Sequence, residues 1–92
     1  MMYATKIRML PGAYYSQQPE EIDEIYITGC NNPGYFKKAV LHNFLKENPG
    51  AIEVNLYPYP EVIPATSSRG EKYVRSTPNQ WEHDNLMNLP RA

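Results

Sequence analysis

Few residues of this chain have side chains that could do covalent or acid–base chemistry, and their spacing decides how far that chemistry can be taken. Cys30 stands in Gly29-Cys30-Asn31-Asn32-Pro33-Gly34, just ahead of a helix-forming stretch. A helix N-terminus can lower a thiol pKa, so Cys30 is the nearest thing to an activated nucleophile. A nucleophile also needs a base beside it. His42 falls roughly two helical turns further on, which does not imply convergence. His83 and Asp84 are adjacent, and neighbouring side chains in a chain usually diverge. Glu20, Glu21, Asp23 and Glu24 form an acidic cluster. A metal site would need these carboxylates to converge with at least one further ligand, and a solvated rim beside Lys6 and Arg8 explains them as well. Gly29 and Gly34 could present backbone amides to an anion, but their spacing matches neither a P-loop nor a dinucleotide fingerprint. No catalytic, metal or cofactor constellation emerges. A small enzyme built on Cys30, His42, His83 or Asp84 is the least favoured reading.

Binding residues are better represented. The chain has eight tyrosines and nine prolines in 92 residues. Tyrosine suits half-wet surfaces that satisfy both its ring and its hydroxyl. Tyr57 and Tyr59 flank Pro58 at the start of Pro58-Tyr59-Pro60-Glu61-Val62-Ile63-Pro64. Three prolines in seven residues exclude a central strand, because each removes a ladder donor. The segment is expected to be extended or polyproline-like along an edge, where aromatic rings could meet a peptide or a base. Tyr73 and Arg75 share one face of a later strand. Lys37, Lys38, Lys46, Arg69, Lys72 and Arg75 are the cations a single-stranded nucleic acid would need. The net charge of −1 argues against general polyanion binding.

These residues need a scaffold. The best helix signal runs from Asn32 to Asn48, with Phe36, Val40, Leu41, Phe44 and Leu45 on one apolar stripe. Asn31 or Asn32 can cap it, Pro33 suits its first position, and Asn48-Pro49-Gly50 stops it. Alternation predicts strands at Tyr3–Leu10, Ile22–Thr28, Ala51–Tyr57 and Glu71–Thr77. Tyr3, Thr5, Ile7 and Met9 would share one face of the first, with Ala4, Lys6, Arg8 and Leu10 on the other. The first two strands should pair antiparallel, with the positive face of one against the negative face of the other. Asp84 can cap a short C-terminal helical turn that puts Leu86 and Leu89 on one side, until Pro90 ends it. Trp81 sits just before. The expected fold is α+β: one domain over residues 1–92, ββαββ in sequence, with about four strands in an antiparallel or mixed sheet, one helix across one face and a docked C-terminal turn.

Length and composition bound the rest. A chain this short buries roughly 60–65% of its unfolded surface, so its core is small. No apolar run approaches the ~18–20 residues of a membrane span, and the N-terminus has no apolar signal core. With a single cysteine, an internal disulfide is impossible and the cytoplasm is the expected compartment.

The end of the chain carries a resemblance. Gly70-Glu71-Lys72-Tyr73-Val74-Arg75-Ser76, a spacer, then Asp84-Asn85-Leu86-Met87-Asn88-Leu89-Pro90 resembles the C-terminal pattern of a bacterial family, domain of unknown function 3892. The resemblance implies a small bacterial α+β domain and supplies no activity, substrate or cofactor. It suggests that Tyr73, Arg75, Asp84 and Asn85 act together, for instance through an Arg75–Asp84 pair that pins the tail to the last strand. Taken together, a non-enzymatic domain that binds a protein, a peptide or a second copy of itself is expected. A single-stranded nucleic-acid module using Lys37, Lys38, Lys72, Arg75 and exposed tyrosines is the alternative.

Overall fold

The computed structural model describes residues 1–77 and 84–91. The α+β class holds, with one helix and a C-terminal 3-10 turn, but the strands are more numerous than alternation predicts. β1 (Met2–Met9), β2 (Ile22–Thr28), β3 (Gly34–Lys37) and β4 (Ile52–Val54) form one sheet in the order β3-β2-β1-β4. β5 (Val62–Thr66) and β6 (Lys72–Ser76) form a second, antiparallel pair. β1 pairs antiparallel with β2 and parallel with β4. A single bridge between Glu53 and Glu61, with the Val54 N–H donating to the Pro60 carbonyl at 2.9 Å, links the two sheets.

β1 departs from simple alternation. Ala4 faces Ile27 across the ladder, and Lys6 already faces Tyr26, so Thr5 is an extra residue on β1. Such a bulge swaps the faces on either side of it. Ala4, Ile7 and Met9 are therefore all buried, and Lys6 and Arg8 are both exposed. The predicted grouping of Tyr3 and Thr5 with Ile7 fails for this reason.

The helix is shorter than its sequence signal. α1 spans Lys38–Glu47, not Asn32–Asn48. Gly34 to Lys37 instead pair with β2 as an edge strand, Phe36 beside Ile25 and Tyr35 beside Tyr26. Aromatic residues favour such cross-strand neighbours, and the pairing outweighs the local helical period. The predicted stop is observed: the Asn48 N–H and Asn48 Nδ2 both donate to the Phe44 carbonyl, at 2.9 and 3.0 Å. α1 packs mainly over β5 and β6 and buries Leu41, His42 and Leu45. These occupy an arc of about 100° on the helix. Val40 and Phe44 lie outside that arc and remain 55% and 36% exposed.

The proline-rich stretch divides into two. Leu56 to Tyr59 form a tight turn containing a cis Tyr57–Pro58 bond and a positive φ of 61° at Tyr59. Val62 to Thr66 are β5, in which Pro64 stands opposite Val74. Pro64 is tolerated because β5 ladders only with β6. The core between the sheets and α1 is closed by Leu86, Met87 and Leu89 of the C-terminal turn (Asn85–Asn88 and its cap). The tail then runs beside β1, where the Ile7 N–H donates to the Pro90 carbonyl at 2.9 Å. The Arg91 guanidinium holds the carbonyls of Tyr14, Ser16 and Met87. Trp81 and His83 lie outside the described residues.

Candidate functional site

Among the described residues, an apolar pocket of about 280 Å³ lies beside the exposed face of α1. β1 contributes Met2 to it, β2 Ile27, β3 Phe36 and β4 Ile52, while α1 contributes Leu41 and Phe44. Cys30, Asn31 and Asn32 form its polar lip. The turn that carries the lip depends on Gly29. Its φ is +83°, and a Cβ there would overlap the Met1 carbonyl, so only glycine fits. Among the described residues no charged side chain lines the pocket. Its chemistry therefore suits a neutral apolar group such as the side chain of a partner, anchored by burial rather than by ion pairing.

Cys30 is half-buried at this lip, and its thiol lies 3.9 Å from the Ile27 carbonyl. His42 is elsewhere. It is 4% exposed on the side of α1 that faces β6, with Nδ1 3.0 Å from the Tyr73 carbonyl. A carbonyl only accepts, so Nδ1 carries the proton, and the imidazole serves as a strut between helix and strand. The acidic cluster is dispersed among partners. Asp23 and Glu24 pair with Lys37 and Arg8, and Glu21 accepts from the Ser16 hydroxyl. Among the described residues no three metal-ligating side chains converge.

Tyr57 and Tyr59 meet edge to face, with ring centroids 6.3 Å apart, and are 81% and 48% exposed at the turn before Pro60. Tyr73 and Arg75 share a face of β6 and are half-buried, opposite Ala65 and Ile63. Several of the cations proposed for nucleic acid are engaged internally. Lys37 reaches Asp23 at 3.1 Å, Lys38 donates to the Glu20 carbonyl, and Lys72 donates to Asn43 at 3.1 Å.

The structure also assembles a group that spacing did not single out. On the outer face of the four-stranded sheet, Lys6 sits over Tyr26 and Arg8 over Tyr35, at 4.8 and 3.9 Å from the ring centroids. The two rings meet edge to face at 5.1 Å, and Arg8 pairs with Glu24 at 2.8 Å. The expected charge pairing of β1 with β2 is present at that one pair. Tyr35, the ring under Arg8, is placed there by β3, which the sequence disguised as helix.

Among the described residues Asp84 is not paired with Arg75. Along β6, Val74 and Ser76 are buried, and Arg75 points to the opposite face. The Asp84 carboxylate instead accepts from the Ser76 N–H and hydroxyl, both at 2.9 Å, and from the Leu86 N–H at 2.9 Å. The Ser76 hydroxyl in turn accepts from the Asn85 N–H at 3.1 Å. Asp84 thus caps the 3-10 turn as its sequence position predicts, and Leu86 and Leu89 are buried behind it. Asn85 is buried as well, and its Nδ2 makes no hydrogen bond among the described residues. The hydroxyl residue that ends the Tyr-Val-Arg-Ser run was the available signal for this contact.

Comparison with known proteins gives one match. A family described as protein of unknown function (DUF3892) covers residues 3–90, and the chain belongs to that family. No curated protein and no solved structure matches it.

Proposed function

We propose that this family member is a small non-enzymatic bacterial interaction domain that holds an apolar side chain of a protein or peptide partner. The reading is carried by the uncharged pocket between α1 and the end of the sheet, rimmed by the exposed Phe44. An apolar hollow beside an exposed ring is the form in which protein interfaces concentrate their binding energy. Several features of the chemistry agree. Cys30 and His42 have separate partners, so this histidine does not serve the thiol as a base. Among the described residues no helix is long and apolar enough to cross a membrane. The single cysteine suits the cytoplasm.

A single-stranded nucleic-acid module is the lesser reading, because Lys37, Lys38 and Lys72 already have partners within the chain. Selection of a displayed random peptide library on the immobilised chain tests the proposal. Enriched peptides should share an apolar anchor and should lose most of their binding to Phe44→Glu. Enrichment indifferent to that substitution would sink the proposal. So would salt-sensitive binding of single-stranded oligonucleotide that shifts Lys37, Lys38, Lys72 and Arg75 resonances.

A further inference from the structure

The pocket lies beside a free strand edge. β3 is the outermost strand of the order β3-β2-β1-β4, and among the described residues no strand lies beyond it. The register shows which backbone groups the edge offers. The Ile7 N–H donates to the Pro90 carbonyl, on the side of β1 away from β2. Ile7 and Ile25 are therefore a non-hydrogen-bonded pair, and Ile25 turns its N–H and carbonyl to β3, where Phe36 meets them. Tyr35 and Lys37 then point their backbone groups away from the sheet. The Lys37 carbonyl stands at the N-cap and serves α1. The Tyr35 N–H, the Tyr35 carbonyl and the Lys37 N–H remain open, and among the described residues nothing in the chain bonds them. The two faces of the edge differ. Gly34 stands opposite Ile27 and Phe36 opposite Ile25, all on the core side, and Ile27 and Phe36 are walls of the pocket. A Cβ on Gly34 would meet nothing within 4 Å, so the core side of the edge is bare next to the pocket. Tyr35 and Lys37 stand on the outer side, where Lys37 reaches Asp23 at 3.1 Å and keeps 59% of its side chain exposed.

We infer that the partner is an extended acidic–apolar peptide segment that joins the sheet as a fifth strand, antiparallel to β3, and sends one apolar side chain into the pocket. The inference rests on the proposed reading of the pocket as a binding surface, and it adds the form and the sequence pattern of what binds. Strand addition draws affinity from main-chain hydrogen bonds and specificity from alternate side chains. From its N-terminus the segment sets a carboxylate beside Lys37, a small apolar residue beside Phe36, a β-branched residue beside Tyr35 and a large apolar residue at the bare Gly34. The ammonium of Lys37 has three donors, so it accepts a second carboxylate without leaving Asp23. β3 is only four residues long and carries a lysine, which guards it against indiscriminate pairing. A segment that supplies both the charge and the pocket side chain overcomes that guard.

The capped peptide acetyl-Ser-Glu-Val-Thr-Leu-Ser-amide, titrated into the amide- and methyl-labelled full chain, tests this by NMR. The pocket methyls should shift, and hydrogen exchange at the Tyr35 and Lys37 amides should slow on saturation. N-methylation of the threonine, whose N–H donates to the Tyr35 carbonyl, should weaken binding about tenfold or more. N-methylation of the leucine, whose N–H points away from β3, should change it by about twofold or less. Gly34→Leu fills the bare position in open space and should weaken binding about tenfold without unfolding the chain. Lys37→Glu should shift the preference to the peptide with lysine in place of glutamate. Equal affinities of the two N-methylated peptides overturn the inference, and so does a parent peptide that does not bind. Exchange at Tyr35 and Lys37 that is already slow in the chain alone, and slower as its concentration rises, gives the edge to a second copy and also overturns it. If N-acetyl-leucine amide still shifts the pocket methyls in any of these cases, the pocket reading stands without the added strand. If it does not, both fall.

Discussion

Asp84 and Ser76 are joined twice: the backbone N–H and the side-chain hydroxyl of Ser76 both donate to the Asp84 carboxylate at 2.9 Å. The same carboxylate caps the C-terminal 3-10 turn through the Leu86 N–H. One side chain thus ties the end of β6 to the turn that closes the core.

Loss of this carboxylate should be expensive. Asp84→Ala removes a cap and leaves the Ser76 donors without their acceptor, and we expect a loss of about 2 kcal/mol. Ser76→Ala should cost about 1 kcal/mol, and the double variant should lose clearly less than the sum. Arg75→Ala combined with Asp84→Ala should be additive. Urea unfolding of the set decides it, and strong coupling between Arg75 and Asp84 would contradict the structure.

His42 is held between α1 and β6 by its Nδ1–H bond to the Tyr73 carbonyl, 3.0 Å away. His42→Leu keeps the bulk and removes that hydrogen bond, at a cost of about 1 kcal/mol, since the Tyr73 carbonyl keeps its place opposite Ala65 in the β5–β6 ladder. His42→Asn can place an amide N–H near the position of Nδ1 and should recover part of the loss. Thermal melting of the two variants checks the order. Equal destabilisation by both would mean that packing, not the hydrogen bond, is what His42 supplies.

Two glycines with nearly the same backbone separate conformation from space. Gly12 and Gly29 have φ of +82° and +83°, but only Gly29 has a backbone, that of Met1, where its Cβ would go. Gly12→Ala should cost about 1 kcal/mol for the left-handed conformation alone. Gly29→Ala should cost at least about twice that and should shift amide resonances around Cys30 and Met2. Similar melting temperatures for the two variants would show that the Met1 approach yields easily.

The cations on the outer sheet face are exposed, and their ring contacts are worth little. Arg8→Ala removes both the stacking on Tyr35 and the Glu24 pair, and we expect a loss of about 1 kcal/mol or less, shrinking with added salt. A much larger loss would identify Arg8 as a structural residue of the sheet.

Much of this scaffold could be read from residue order. Ile25, Ile27, Ile52 and Val54 lie on the buried faces that alternation assigns them, because the strands that carry them have no bulge at those positions. The cap at Asp84 and the burial of Leu86 and Leu89 followed from a polar residue followed by spaced leucines. What escaped has a common cause in contacts distant along the chain. The bulge at Thr5 is visible only against β2. Gly34 to Lys37 have a helical apolar pattern, yet β2 claims them as a strand. That pairing, together with the seating of α1 on β5 and β6, leaves Val40 and Phe44 outside the core. The sequence stripe counted both as buried, and their exposure creates the candidate site. The Tyr57–Tyr59 pair was legible as adjacent rings, but the turn that presents them was not.

The most direct test of the pocket is an NMR titration of the methyl-labelled chain, kept dilute, with N-acetyl-leucine amide, N-acetyl-phenylalanine amide and N-acetyl-lysine amide. The account predicts saturable shifts at the methyls of Met2, Ile27, Leu41 and Ile52 with the two apolar amides, and none with the lysine amide. Unmoved pocket methyls, or shifts of the same size with all three amides, would contradict a site that takes an apolar side chain.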